Sequence, residues 1–212
     1  DAGTSVIKAV AFTVNGKELG VSTVQNEYNV SNDGKATQSL ELTWNNCCKA
    51  IKNLKDQFGN IENRVCLISV TGQGDGTWLI DKNGEPVCDA WLWLDSRSSD
   101  IAKKLSTLES EEFRFNSTGT GMFSGQQSSQ LLFMDKYHPE ILNKSKTAFH
   151  CKDWLYFKLT GVIATDPSES CFTFGNFRTQ DYDENVIRGL GLNKRKNLLP
   201  KILNGSKINH SL

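Results

Sequence analysis

The sequence predicts an α/β domain, and three observations carry that prediction. Val65-Cys66-Leu67-Ile68-Ser69-Val70 is a near-continuous apolar run, the pattern of a strand buried on both faces. Leu40, Trp44, Cys48, Ile51, Leu54 and Phe58 recur at steps of 4, 4, 3, 3 and 4, which is one face of a helix. Two polar clusters, Gly72-Gln73-Gly74-Asp75-Gly76 and Asp95-Ser96-Arg97, stand where apolar segments end. Ligand sites of open α/β sheets sit at such strand ends.

The first element is a turn, Asp1-Ala2-Gly3-Thr4-Ser5, feeding a strand from Val6 to Phe12. Asn15-Gly16 signals a tight hairpin, so Leu19 to Val30 reads as a returning strand. A turn with an acid and two hydroxyls can offer donors to a phosphate, although any tight turn looks similar. The helix follows, with Gly59 as its expected C-terminal cap and Trp44 in the core. After the Val65–Val70 strand, Gly76–Ile80 and Pro86–Val87 form a hairpin joined by Asp81-Lys82-Asn83-Gly84. Ser98 to Leu108 reads as a helix. Asn116 to Gln127, rich in Gly, Ser and Thr, reads as a loop, and it lacks the Gly-Lys-Ser/Thr ending of a P-loop. Ser128 or Ser129 is expected to cap a helix ending before His138-Pro139. Ala148 to Cys151 is a short strand. Asp153 is expected to cap Trp154 to Leu159, with Gly161 closing it. Asp166 with Pro167 starts another helix, Tyr182 to Leu190 is the last, and 200–212 is loop-rich.

Composition narrows the function. Over 212 residues, Lys+Arg and Asp+Glu both total 24, which argues against the basic surplus of a nucleic-acid binder. Lys194-Arg195-Lys196 is the one tight basic cluster and reads as a solvated loop. The six cysteines, at 47, 48, 66, 88, 151 and 171, contain no C-x-x-C pair and read as reduced thiols of a cytoplasmic protein. No apolar run approaches the ~20 residues of a membrane helix. The triplets at Asn29, Asn116, Asn143, Asn204 and Asn209 match the glycosylation pattern but mean little without a secretory signal. The absence of an initiator Met suggests a piece of a longer protein.

From the residues alone, the chemistry stays open. His138, His150 and His210 accompany no recognisable nucleophile elbow. Asp75 and Asp95 could be a carboxylate pair for glycoside hydrolysis. Alternatively, Asp75 accepts a ligand hydroxyl or a turn N–H, and Asp95 pairs with Arg97. Either way the residues point to a polar, sugar-sized site at strand ends.

Four segments together resemble the FGGY family of carbohydrate kinases. Asp1-Ala2-Gly3-Thr4-Ser5-Val6-Ile7-Lys8 is similar to its phosphate hairpin, and Gly72–Gly76 to its Gln-led sugar loop. Trp93-Leu94-Asp95-Ser96-Arg97 is similar to W-x-D-x-R. Lys152-Asp153-Trp154-Leu155 through Leu159-Thr160-Gly161 and Thr165–Ser170 matches K-D-[YW]-L…L-T-G…[ST]-D-x-S-x-[AS]. The resemblance implies a ribonuclease H-like (actin-like ATPase) domain, a mixed β-sheet flanked by helices. It implies transfer of the ATP γ-phosphoryl group, with Mg2+, to a hydroxyl of a small polyol or ketopentose of the erythritol, L-xylulose or D-xylulose type. Thr4, Ser5 and Lys8 would lie near the nucleotide phosphates and Asp1 near the metal. Gln73, Asp75, Trp93, Asp95 and Arg97 would line the sugar pocket. A homodimer of the full-length enzyme is a further expectation.

Two departures qualify the resemblance. The family's general-base Asp sits in a glycine-rich G-D-x-A-type motif that does not occur here, so the base is expected beyond Leu212. The second, nucleotide-binding domain and the strand preceding the phosphate hairpin are not in the sequence. The expectation is therefore an N-terminal sugar-binding domain over 1–212, truncated at both ends and inactive alone. The alternative is a non-catalytic sugar-binding or regulatory module of the same fold.

Overall fold

The computed structural model describes residues 1–206 and 210–211, so Asn209 of the last triplet lies outside them. The chain opens on a hairpin. Strand β1 (Val6–Phe12) pairs antiparallel with β2 (Glu18–Gln25), and Gly16 turns it at φ +81°. The expected single strand from Leu19 to Val30 is broken: β2 ends at Gln25, and β3 (Asn29–Val30) pairs instead with β4 (Ala36–Gln38). Asn26 makes the break, because its amide is drawn back to the turn, backbone N–H to Ser5 O at 2.8 Å and Nδ2 to Gly3 O at 3.2 Å.

Helix α1 (Leu40–Lys55) is capped by Ser39, whose side chain accepts from Leu42 N. It packs on β1 and β2 through Leu40, Thr43, Cys47, Ala50 and Leu54. The buried face is therefore rotated by about one residue from the predicted one. Cys48 is exposed and Ile51 is 43% exposed. Small Thr43, Cys47 and Ala50 let the helix approach the sheet closely, and Trp44 packs at the core edge. Gly59 is not the cap; the helix ends at Asp56 in right-handed geometry.

The largest correction concerns Val65–Val70. The segment forms neither helix nor strand, and Val65, Leu67 and Ile68 are 48%, 70% and 42% exposed. A strand needs neighbours for its N–H and C=O groups. Among the described residues this run meets one only at its end, where Ala2 N donates to Thr71 O at 2.9 Å and Ala2 bridges Gly72 in parallel.

The next elements bring the second polar cluster to the first. Strand β5 (Trp78–Ile80) closes its hairpin through the Ile80–Pro86 bridge and pairs antiparallel with β7 (Thr147–Phe149). Strand β6 (Ala90–Trp91) pairs with β4. Helix α2 (Ser99–Leu105) lies within the expected Ser98–Leu108 and ends three residues sooner, at a Ser106 cap. Helix α3 (Ser110–Thr118) occupies part of the predicted loop, because Arg114 ties Glu111 and the Thr120 carbonyl into the turn and is 3% exposed. Helix α4 (Gln127–Tyr137) begins earlier than predicted, with Ser128 and Ser129 buried in its first turn rather than capping it. Helix α5 (Pro139–Lys144) starts on its proline.

Helix α6 (Cys151–Thr160) is capped at His150, one turn before the predicted Asp153. Asp153 reaches back to accept the His150 N–H at 2.9 Å, and Gly161 closes the helix at φ +72°. Strand β8 (Ala164–Thr165) leads to α7 (Pro167–Phe174), capped by Asp166 as predicted. Strands β9 (Gly175–Asn176) and β10 (Asp181–Tyr182) pair antiparallel. Helix α8 (Glu184–Gly189) and a 3-10 turn over Asn193–Leu198 precede β11 (Lys201–Ile202), which runs parallel to β8. In that turn Arg195 holds Asp135 at 2.7 Å, so the basic cluster is anchored rather than free.

Two cores result. One centres on Trp78, Phe149 and Trp154 beneath α1 and α6; the other, on Leu79, Leu131, Met134 and Phe174, joins α4, α7 and α8. All six cysteines are free thiols, with Cys47, Cys151 and Cys171 buried. Among the described residues no helix is long and apolar enough to cross a membrane.

Candidate functional site

The two polar clusters meet at the opening turn. The Thr4 hydroxyl donates to Gln73 Oε1 at 2.8 Å and accepts from Trp93 Nε1 at 3.1 Å. Gln73 Nε2 donates to Gln38 Oε1 at 2.7 Å, and Gln38 Nε2 returns to the Thr4 carbonyl at 2.9 Å. Turn, loop and aromatic segment are thus one hydrogen-bonded ring. Gln38 is fully buried and escaped the sequence reading, since one glutamine in a short strand carries no spacing signal. Trp93 keeps 45% of its surface exposed, leaving an aromatic face beside Gln73.

Thr4 therefore faces the Gln73 loop. Ser5, Lys8 and Asp1 are exposed on the outer side of the turn. There the Lys8 N–H donates to the Asp1 carbonyl at 2.8 Å and the terminal ammonium donates to the Lys8 carbonyl at 2.9 Å. The turn is tight: a Cβ on Gly3 would lie 2.8 Å from the Val6 carbonyl oxygen.

Asp95 differs from the expected pocket residue. It is 0% exposed, and both carboxylate oxygens are occupied. Oδ2 accepts from Ala36 N at 2.9 Å and from the Arg97 guanidinium at 2.6 Å; Oδ1 accepts from Arg97 N and Nε. Arg97 in turn lies 3.3 Å over the Trp91 ring. This buried pair locks the Trp93 segment against β4 and leaves Asp95 no lone pair for a ligand hydroxyl.

Asp75 stands in left-handed backbone at φ +54°, followed by Gly76 at φ +76°. The Asp75 N–H donates to Glu169 Oε2 at 3.2 Å. Burial pushes the Asp75 carboxyl up to about 6; the nearby His150 opposes this and Glu169 adds to it. His150, Asp153 and Glu169 thus belong to the site, brought in by α6 and α7. Asp153 lies in the K-D-[YW]-L run, but His150 precedes it and Glu169 is an unspecified position of D-x-S-x-[AS], so neither carried a signal. Lys152 is held away from the pocket by Asp166, 2.7 Å from Oδ1, and by Ser168.

The family model for the FGGY family of carbohydrate kinases, N-terminal domain, matches residues 1–212. The chain is 50% identical over 212 residues to the erythritol kinase of Brucella abortus (strain 2308), covering 100% of this chain and 41% of that protein. A xyloylose kinase from Brucella ovis superposes with a TM-score of 0.89 at 22% identity, over 99% of this chain and 43% of that one. Plasmodium falciparum glycerol kinase with ADP superposes with a TM-score of 0.78 at 20% identity, over 95% and 41%. These two show the fold, the actin-like α/β architecture with its sheet strands and flanking helices. The chain spans less than half the length of each of these proteins. It belongs to the FGGY family of carbohydrate kinases, whose N-terminal domain it matches from end to end.

Proposed function

We propose that this chain is the polyol-binding part of an ATP-dependent kinase that phosphorylates a hydroxyl of a small, uncharged polyol, with erythritol the first candidate and L-xylulose and D-xylulose the next. The observation that carries the reading is the Thr4 hydroxyl, shared between Gln73 and Trp93. It fixes the exposed phosphate-side turn against the pocket, and phosphoryl transfer is mostly a matter of such positioning. The 50% identity to an erythritol kinase supports the choice of polyol.

In this reading Gln73 and Asp75 hold hydroxyls, and Trp93 offers its open face to the carbon skeleton. Asp95 and Arg97 act from behind, keeping Trp93 in place. Ser5 and Lys8 stand open on the turn, as a hydroxyl and an ammonium suited to nucleotide phosphates. Among the described residues no three His, Cys, Asp or Glu side chains form a metal cage. Asp1, an exposed carboxylate on the turn, would hold Mg2+ together with water and phosphate oxygens. When bound, ATP and its metal supply the phosphoryl group and charge neutralisation. The chain supplies binding, orientation and choice of hydroxyl, and the proton acceptor comes from outside residues 1–212.

The test is a coupled assay of the full-length enzyme with ATP against erythritol, L-xylulose, D-xylulose, ribulose and glycerol. Preferred turnover of erythritol supports the reading; no turnover of any of them overturns it. Residues 1–212 alone are expected to show no phosphoryl transfer.

A further inference from the structure

Behind the Gln73–Asp75 loop lies a buried charged cluster that the pocket residues above leave unexplained. His150 is 3% exposed. Its Nδ1 sits 3.4 Å from Asp153 Oδ2, the oxygen that also accepts the His150 backbone N–H at 2.9 Å. This double contact fixes the ring and leaves Nε2 on the Glu169 side, with Glu169 Oε2 4.0 Å away. Among the described residues Nε2 has no hydrogen-bond partner. A buried polar atom left so is costly, and a nearby acceptor it could serve is the natural explanation for keeping it.

Glu169 is placed for that use. Its Oε2 accepts the Asp75 N–H at 3.2 Å, while its side chain keeps 19% exposure. A Cβ on Gly74 would lie 3.0 Å from Glu169 Oε1, so glycine there admits the carboxylate against the loop. The Glu169 carboxylate is thereby bound to the Asp75 backbone and bears on the Asp75 carboxyl by charge. Arg97 is bound to Asp95 and Lys152 to Asp166, so the cationic group that faces the pair is the His150 imidazole, itself shared with Asp153. Burial opposes a charged His150 imidazole, but Asp153, Glu169 and Asp75 outweigh it and raise its pKa. The groups facing His150 on its other side, Gln127, Thr165, Ser170 and Tyr182, are uncharged. Two acceptor carboxylates match a ligand rich in hydroxyl donors and repel an anion.

We propose that Glu169, positioned by the His150–Asp153 pair, is a second specificity-determining carboxylate of the pocket. With Asp75 it accepts hydroxyls of an uncharged polyol and turns away sugar acids of the same carbon skeleton. This rests on the reading of the site as a polyol-kinase pocket. His150 acts through Glu169 and is a positioning residue.

The test uses the full-length enzyme with erythritol and its four-carbon acid, erythronate, as probes. Glu169→Gln keeps the shape of the side chain and removes the charge. It is expected to raise KM for erythritol about tenfold or more, to leave KM for ATP within about twofold, and to narrow the preference for erythritol over erythronate. Glu169→Asp is expected to fall between. His150→Gln is expected to raise KM for erythritol alone and to shift its acid limb; a scaffold role would instead lower the melting temperature and affect both substrates together. An active wild type with Glu169→Gln unchanged in erythritol KM and in erythronate exclusion overturns the assignment of Glu169. A wild type that neither phosphorylates nor is thermally stabilised by any polyol overturns the kinase reading itself.

Discussion

The indole Nε1 of Trp93 donates to the Thr4 hydroxyl at 3.1 Å, across 89 positions of sequence. That contact makes the first turn and the aromatic segment a single structural unit, and the same hydroxyl donates to Gln73 Oε1 at 2.8 Å. Thr4→Val should leave Trp93 Nε1 and Gln73 Oε1 without their shared partner, at a cost of about 1–3 kcal/mol in unfolding free energy. In the full-length enzyme its erythritol KM should rise more than its ATP KM, and Thr4→Ser should restore both. Steady-state kinetics with chemical denaturation will check this; an equal rise in both KM values would separate Thr4 from the polyol.

Asp95 should behave as a scaffold residue. Asp95→Ala leaves the Arg97 guanidinium and the Ala36 N–H unpaired in a nearly closed site, a loss of about 3–5 kcal/mol. Arg97→Lys should lose the two-pronged contact and the stacking on Trp91, and so destabilise as well. Thermal unfolding reads both. A stable Asp95→Ala with only a weakened polyol KM would instead make Asp95 a ligand contact.

Asp75 predicts a pH dependence with a definite sign. Its folded pKa, about 6, lies above the ordinary value of 3.8. Below 3.8 the group is protonated in both states and contributes nothing. As pH rises from about 4 to 6, the unfolded chain loses its proton first, and stability falls. Asp75→Asn should therefore stabilise the protein at pH 7.5 by on the order of 2–3 kcal/mol, with the gain vanishing towards pH 4. The ionised form is the better hydroxyl acceptor, so wild-type polyol KM should rise as pH drops below about 6. Asp75→Ala should weaken polyol use more than ATP use.

Gly76 is a conformational requirement. Its φ is +76°, and an added Cβ would lie 2.5 Å from the Trp91 carbonyl oxygen. Gly76→Ala should cost more than about 1–2 kcal/mol, since strain and collision act together. Its N–H also donates to the Gly125 carbonyl at 2.9 Å, so the loop before α4 should loosen with it, readable by hydrogen exchange at residues 119–126.

The sequence by itself determined what depends on neighbouring residues. Gly16 and Gly84 turn their hairpins at positive φ, Asp166 caps α7, Gly161 closes α6, and the ordered motifs carry the family. Gln73, Asp75 and Trp93 were legible as candidate pocket residues because they follow apolar segments within motifs. Tertiary structure decided whatever depends on which partners arrive. Apolarity at 65–70 predicts a buried strand, but a ladder needs a neighbour, and the described chain brings only Ala2 to its end. The periodic face of α1 gave way to its small residues, because close approach to the sheet favours Thr43, Cys47 and Ala50 over Cys48 and Ile51. A carboxylate in a motif reads alike whether it meets a ligand or an arginine; only folding shows Asp95 saturated and Asp75 open. Gln38, His150 and Glu169 were invisible as site residues because their sequence distances to the pocket, 35 positions from Gln38 to Gln73 and 94 from Asp75 to Glu169, carry no local pattern. Hydrogen bonds and charges act through space, and the fold alone brings those groups within reach.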